Sequence, residues 1–190
     1  LVKMNARTQK NTRKMVTLAM LAALAIVLVA FIHFPLLPAA PFLEYDPADV
    51  PILIGTFLYG PWAGLGLTAV VCIIQGVTVS AASGLIGIVM HLLASGSCAV
   101  VAGLIYRRSH TRKGAALALL AVVAVRTAVM CGCNLVFTPL FLGSSVGEVV
   151  AMLLPAIIPF NLLYAALNGA VTLLVYKPLS RFLHGMQGKA

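Results

Sequence analysis

The chain has 190 residues, of which 62% are hydrophobic and only 9% are charged. Soluble domains carry about 25% charged residues, so this composition excludes a water-soluble fold. The formal net charge is +9, but the Lys and Arg residues cluster at the flanks of apolar segments, which argues against a nucleic-acid-binding surface. Apolar runs of about 20 residues recur, and this length predicts an all-α membrane protein.

Three basic clusters determine the predicted topology. The first precedes the first apolar span, the second lies between two later spans, and the third ends the chain. Because cytoplasmic flanks accumulate Lys and Arg, all three are expected on the cytoplasmic side. Six spans meet this requirement, whereas five would put the basic loop and the C-terminus on opposite sides. The clusters are Lys3, Arg7, Lys10, Arg13 and Lys14; Arg107, Arg108, Arg112 and Lys113; and Lys177, Arg181 and Lys189.

We therefore predict six transmembrane helices with both termini in the cytoplasm. The membrane domain covers residues 15–183, between a basic cytoplasmic tail at 1–14 and a C-terminal cytoplasmic tail at 184–190. The expected spans are 15–33, 49–59, 63–79, 85–106, 114–137 and 149–176. No metal site is predicted, since the cysteines all lie in apolar segments and are expected to pack as small apolar side chains: Cys72, Cys98, Cys131 and Cys133.

The first span carries alanines that leave one helix face without bulk. Ala19 and Ala23 are four residues apart, so they share a face and permit close approach of another helix. Two interpretations are open: this face packs within the chain, or it docks against a separate membrane subunit.

A proline-rich connector follows, reading FPLLPAAPFLEYDPADVPILIGTFLYG over residues 34–60. The span within it has about 11 residues and is about 16 Å long, too short to cross about 30 Å of hydrocarbon. Non-helical backbone at that depth must be buried in protein, so the connector is expected to fold back as a partly re-entrant lid. Asp46 and Asp49 are expected in a turn and as the helix cap, with Pro51 in the first helical turn.

Polar side chains within the spans are few, and such residues usually face a cavity or a partner. Asn134 and Asn161 are expected in the outer half near the lid, and Tyr164 shares a helix face with Asn161. These groups suit a neutral, planar, hydrogen-bonding ligand, although amide bonds between helices are the alternative. The other polar candidates in the spans are Gln75, His91, Arg126 and Asn168.

Arg126 is expected near the middle of the bilayer, with no acidic residue in the spans to pair with it. A helix carbonyl, the Gln75 amide or a ligand anion would have to satisfy it, unless it snorkels to the interface. His91 is expected to pack or hydrogen-bond, because no chain of Asp and Glu accompanies it as in a proton relay. The sequence contains neither a phosphate-binding GxxxxGK loop nor an HExxH motif, so ATP hydrolysis by that loop and zinc proteolysis are excluded.

Several segments together resemble the riboflavin-specific substrate-binding (S) components of energy-coupling factor (ECF) transporters. They are the connector continued to GPWAG, GLIGIVMHLLASGS in span 4, NLVFTPLF in span 5, and LLPAIIPFNLLYAALN with YKPLSRFL in span 6. The resemblance covers residues 13–183. It implies a six-helix subunit of the bacterial cell membrane that is not an enzyme and has no cofactor of its own. Such a subunit captures a vitamin from outside and works with a membrane-embedded coupling subunit and two cytoplasmic ATPase subunits.

The resemblance also implies roles for residues. The pocket of the family uses loop 1 and helices 4, 5 and 6, which places Leu43, Glu44 and Tyr45 beside the ligand. Asn134 and Asn161 match the two pocket asparagines of the family, and Ala19 and Ala23 match its contact with the coupling subunit.

Three departures concern the ligand. Tyr164 replaces a common lysine, Ile74-Gln75 replaces a Lys-Asn pair, and Arg126 replaces an apolar residue. The expected ligand is therefore riboflavin or a related flavin such as FMN, with Arg126 a candidate partner for an anion. The alternatives are an S component for another vitamin or heterocycle, a small membrane enzyme using His91 and Arg126, and a purely structural membrane partner.

Overall fold

The computed structural model describes residues 6–38 and 40–187, and these form an all-α fold, as the sequence predicts. Lys3, Lys189 and the outermost parts of both predicted tails lie outside the described residues. Two two-residue strands, β1 (Phe34–Pro35) and β2 (Glu44–Tyr45), pair antiparallel in the first connector. The helices are α1 (Ala6–Phe31), α2 (Asp49–Tyr59), α3 (Pro61–Val77), α4 (Gly84–Arg108), α5 (Arg112–Leu142), α6 (Val146–Met152) and α7 (Ile158–Gln187).

Four helical stretches are long and apolar enough to cross a membrane, and two further apolar helices are shorter. Each of the six predicted spans overlaps one of these six helical stretches. α1 begins at Ala6 and α7 ends at Gln187, so both helices extend into the predicted tails. The four long stretches are Arg7–Phe31, Ala81–Arg108, Arg112–Leu142 and Val146–Tyr176.

The short helix α2 lies at the centre of the bundle. Every residue from 49 to 57 is buried, and α2 packs against α1, α3, α4 and α7. Gly60, with a φ of 89°, joins α2 directly to α3, whose first residue is Pro61. Glycine adopts this positive φ without steric cost, and proline is favoured at the first helical position. Because α2 is enclosed on all sides, the connector that precedes it must also enter the protein.

The last predicted span is not one uniform helix. α6 begins with a capping box formed by Ser145 and Glu148, and a π-helical turn at Leu153–Ile157 links it to α7. Pro155 lies in this turn and lacks the N–H needed for a regular helical bond, which explains the local widening of the helix. This turn immediately precedes the segment that carries the polar residues of α7.

Candidate functional site

A cavity of about 140 Å³ lies at one end of the bundle. Loop 1, defined here as residues 32–48, covers one side, and the connector between α3 and α4 lies on another. The residues from these two segments are His33, Phe42, Leu43, Glu44, Asp46, Val79, Ser80 and Ser83. The helices supply Val29, Gln75, Ile86, Gly87, Met90, His91, Arg126, Met130, Asn134, Thr138, Phe141, Phe160 and Tyr164. The site is therefore an apolar chamber with a few polar groups in its wall, which is typical of small-molecule sites.

Loop 1 is packed into the protein as the length of α2 predicts. Leu43, Tyr45 and the residues at 46–48 are buried, whereas Glu44 is exposed at the rim. The Tyr45 ring meets the edge of the Tyr164 ring with centroids 5.3 Å apart. Asn168 Nδ2 donates to the backbone carbonyl of Asp46 at 3.1 Å, which attaches the loop to α7.

Asp46 adopts the predicted turn. Its Oδ1 accepts a hydrogen bond from the Ala48 N–H at 2.9 Å, two residues later. Asp46 therefore shapes the loop and also presents a carboxyl group to the cavity.

Arg126 has an acidic partner, so the prediction that no acid would pair with it is wrong. Its Nη1 donates to Asp49 Oδ2 at 2.6 Å and to Ser95 Oγ at 3.3 Å. The guanidinium carbon lies 3.7 Å from the centroid of the Tyr164 ring, and Arg126 is only 2% exposed. The prediction that Asp49 caps α2 is also wrong, because the cap position is Ala48 and no side chain bonds there. Asp49 instead compensates the buried charge across the bundle.

The predicted site residues divide into two groups. Seven of them line the cavity: Leu43, Glu44, Gln75, His91, Arg126, Asn134 and Tyr164. Tyr45, Asn161 and Asn168 do not line it. They lie behind its wall, where Tyr45 packs on Tyr164 and Asn168 holds loop 1.

The two expected pocket asparagines bond within their own helices. Asn134 Nδ2 donates to the Met130 carbonyl, and its Oδ1 accepts from the Thr138 hydroxyl, each at 2.7 Å. Asn161 Nδ2 donates to the Ile157 carbonyl at 2.8 Å, while its buried Oδ1 has no partner among the described residues. These two side chains therefore do not form the hydrogen bonds between helices that the alternative interpretation expected.

Sequence reasoning missed two polar residues of the site, Asp49 and Ser95, which fix the guanidinium of Arg126. One signal pointed to Asp49: a buried arginine needs a counter-charge, and three of the four acidic residues precede or begin α2.

Among the described residues, no group of three or more His, Cys, Asp or Glu side chains is arranged to hold a metal ion.

The alanine face of α1 points away from the bundle. Ala19 and Ala23 are exposed, whereas Ala22 and Ala25 are buried against the core. Of the two interpretations left open by the sequence, packing within the chain therefore applies to Ala22 and Ala25 and not to Ala19 and Ala23. The exposed pair lies on an apolar stretch with Met15, Met20 and Leu24, which are also exposed.

Comparison with known proteins gives concordant results. A family model described as ECF transporter, substrate-specific component, matches residues 13–176. The riboflavin transporter RibU of Staphylococcus aureus is 31% identical over 189 residues, covering 95% of this chain and 98% of that protein. The riboflavin transporter FmnP of Bacillus subtilis is 26% identical over 181 residues, covering 91% of this chain and 95% of that protein. A solved structure described as the S component of a bacterial ECF transporter is similar with a TM-score of 0.76 and 32% identity, covering 92% of this chain and 98% of that one.

Proposed function

The chain belongs to the family of ECF transporter substrate-specific components, and from this premise we propose that it captures riboflavin outside the cell for an ATP-driven importer. As a member of this family, it is a multi-pass bacterial membrane protein and a transport subunit rather than an enzyme. Riboflavin is the cargo in this proposal, and no separate cofactor is needed.

The observation that carries the proposal is the cavity beneath loop 1. Its wall is mostly apolar, and Asn134, Gln75 and His91 place amide and imidazole groups among the apolar side chains. A flavin ring is a flat heterocycle with hydrogen-bond donors and acceptors at one edge, and this combination of wall and polar groups suits it. Loop 1 would exclude water from the bound ligand, because it already packs against α7 through Tyr45 and Asn168.

The proposed topology has six crossings with both termini in the cytoplasm. The central helix α2 crosses together with loop 1, which supplies the length that the helix lacks. The cavity then opens at the outer end, away from the basic residues that end α4 and begin α5. The membrane domain is assigned to residues 15–183, with the cytoplasmic tails at 1–14 and 184–190.

We assign direct ligand contact to the seven predicted residues that line the cavity, and a supporting role to Tyr45 and Asn168. Asn161 stays in the proposal as a site residue behind the cavity wall, where its buried amide oxygen has no partner among the described residues. The partners are a membrane-embedded coupling subunit and two ATPase subunits, with Ala19 and Ala23 on the surface that meets the coupling subunit.

Riboflavin binding tests the proposal directly. Purified protein at submicromolar concentration is expected to quench the fluorescence of added riboflavin, because stacking on protein side chains and exclusion of water change the emission of the ring. Trp62, the single tryptophan of the chain, is 76% exposed and makes a poor reporter, so the flavin signal is the one to follow. Unchanged riboflavin emission from folded protein would exclude the flavin assignment, and thermal-shift screening of other vitamins would then decide between S-component ligands.

The Asn134→Ala variant is expected to bind riboflavin about twofold to tenfold more weakly, because one hydrogen bond contributes about 0.5–1.5 kcal/mol. Asn134 lines the cavity from α5, whereas Thr127 on the same helix does not. Thr127→Val is therefore a matched control that also removes a polar group and should retain the affinity of the unmodified protein. Equal affinities for the Asn134→Ala variant and the unmodified protein would remove Asn134 from the ligand contacts.

A further inference from the structure

Acidic side chains outnumber arginines around the cavity. Arg126 is the residue in its described lining whose positive charge does not depend on pH. Glu44 and Asp46 also line the cavity, and Asp49 adds a third carboxylate through its bond to Arg126. Three of the four acidic residues of the chain therefore lie at the cavity or behind its wall, against one arginine. The site therefore has no excess positive charge.

The positive charge of Arg126 is already compensated before any ligand enters. Its Nη1 lies 2.6 Å from Asp49 Oδ2, and the two side chains are only 2% and 8% exposed. Separating a buried pair leaves an uncompensated charge, which is strongly unfavourable, so a ligand anion would compete poorly for this guanidinium. Arg126 Nε is a buried donor that has no hydrogen-bond partner among the described residues, and it belongs to a residue of the cavity wall. A single N–H of this kind suits a neutral acceptor such as a ring carbonyl.

We propose that Asp49 determines the charge of the ligand: by neutralising Arg126, it makes the cavity selective for an uncharged flavin and against a flavin phosphate. This inference rests on the proposed function. A phosphate monoester carries about −1.5 to −2 charges at neutral pH, and the net negative lining repels it. One unit of like charge at about 8 Å weakens binding by more than about tenfold at an effective dielectric constant near 20. In this proposal Arg126 donates to the flavin and does not bind phosphate.

The test compares riboflavin with FMN, which share the ring system and differ by the phosphate. Both affinities are measured by flavin fluorescence with the full-length protein in detergent at one ionic strength. The unmodified protein is expected to bind riboflavin at least about tenfold more tightly than FMN. In Asp49→Asn the charge of Arg126 is uncompensated, so the preference for riboflavin is expected to fall at least about fivefold, mainly through tighter FMN binding.

A charge-matched control is the double variant Asp49→Asn/Arg126→Met, which removes both members of the pair and leaves the net charge of the site unchanged. Its riboflavin-to-FMN preference is expected to stay within about twofold of that of the unmodified protein, even if both affinities fall. A purely structural role for Asp49 would weaken both ligands in parallel in Asp49→Asn and leave the preference unchanged, which would overturn the proposal.

The unmodified protein also decides the matter without any variant, should Asp49→Asn not fold. FMN binding as tight as riboflavin binding would show that the cavity does not reject the phosphate, and the proposal would then be wrong. If both flavins bind equally tightly, the proposed function as a riboflavin-binding subunit stays intact. Absence of binding by either flavin would instead contradict the proposed function, so the two failures are distinguishable.

Discussion

Replacing Arg126 with methionine is expected to lower the free energy of unfolding by about 3–5 kcal/mol, because Asp49 then remains as a buried carboxylate without its counter-charge. The Asp49 side chain is only 8% exposed, and its bond to Arg126 joins the start of α2 to the middle of α5. Methionine preserves much of the apolar length of arginine, so lost packing contributes little. Chemical denaturation in detergent, followed by circular dichroism, measures the difference.

Two further variants show whether the loss arises from the buried charge. Arg108→Met removes an exposed arginine at the end of α4 and should change the stability by less than about 0.5 kcal/mol. Adding Asp49→Asn to Arg126→Met removes the uncompensated carboxylate, so much of the lost stability should return. Additive losses in this double variant would mean that the two residues stabilise the bundle independently, contrary to the 2.6 Å contact.

Ala19→Trp and Ala23→Trp are each expected to abolish riboflavin uptake by the assembled transporter and to leave riboflavin binding by the isolated subunit unchanged. Both alanines are exposed, and neither lines the cavity. A bulky indole on this face prevents close approach of a partner helix, whereas lipid tails accommodate it. Uptake is measured with labelled riboflavin in vesicles that contain the complete transporter, and binding with the purified subunit in detergent.

The chain supplies a matched control for this experiment. Ala124 and Ala128 on α5 are also exposed and four residues apart, so Ala124→Trp places the same bulk on another helix. This control should transport riboflavin normally. Equal loss of uptake in Ala124→Trp would point to a general effect of bulk at the lipid face, and loss of binding in Ala19→Trp would show that the face supports the fold of the isolated subunit.

The positions of the helices could be predicted because their causes are local. Apolar length identifies each span, and Gly60 with Pro61 defines the tight turn between α2 and α3 in two adjacent residues. The burial of loop 1 also followed from the sequence, since an 11-residue α2 is too short to cross a bilayer alone. The π-helical turn at Leu153–Ile157 was not predicted, because a proline indicates an interruption without specifying the form that it takes.

The partners of the polar residues could not be predicted from the sequence. Arg126 and Asp49 are 77 positions apart, and their bond depends on how the bundle brings the start of α2 within reach of the middle of α5. Helical spacing places Asn161 and Tyr164 on one broad face, yet only Tyr164 reaches the cavity, because the π-helical turn and the neighbouring helices set the orientation of α7. Asn168 bonds to loop 1 for the same reason, 122 positions from its acceptor.

The sequence by itself determined that this is an all-α membrane protein with a buried first loop, since composition, apolar length and charge placement are properties of the chain alone. It also singled out several of the polar residues that line the cavity, among them Gln75, Arg126 and Asn134. Only the tertiary structure decided that Ala19 and Ala23 face outward and that Asp49 neutralises Arg126. The physical reason is that exposure and ion pairing depend on which helices become neighbours, and distant packing contacts make that choice.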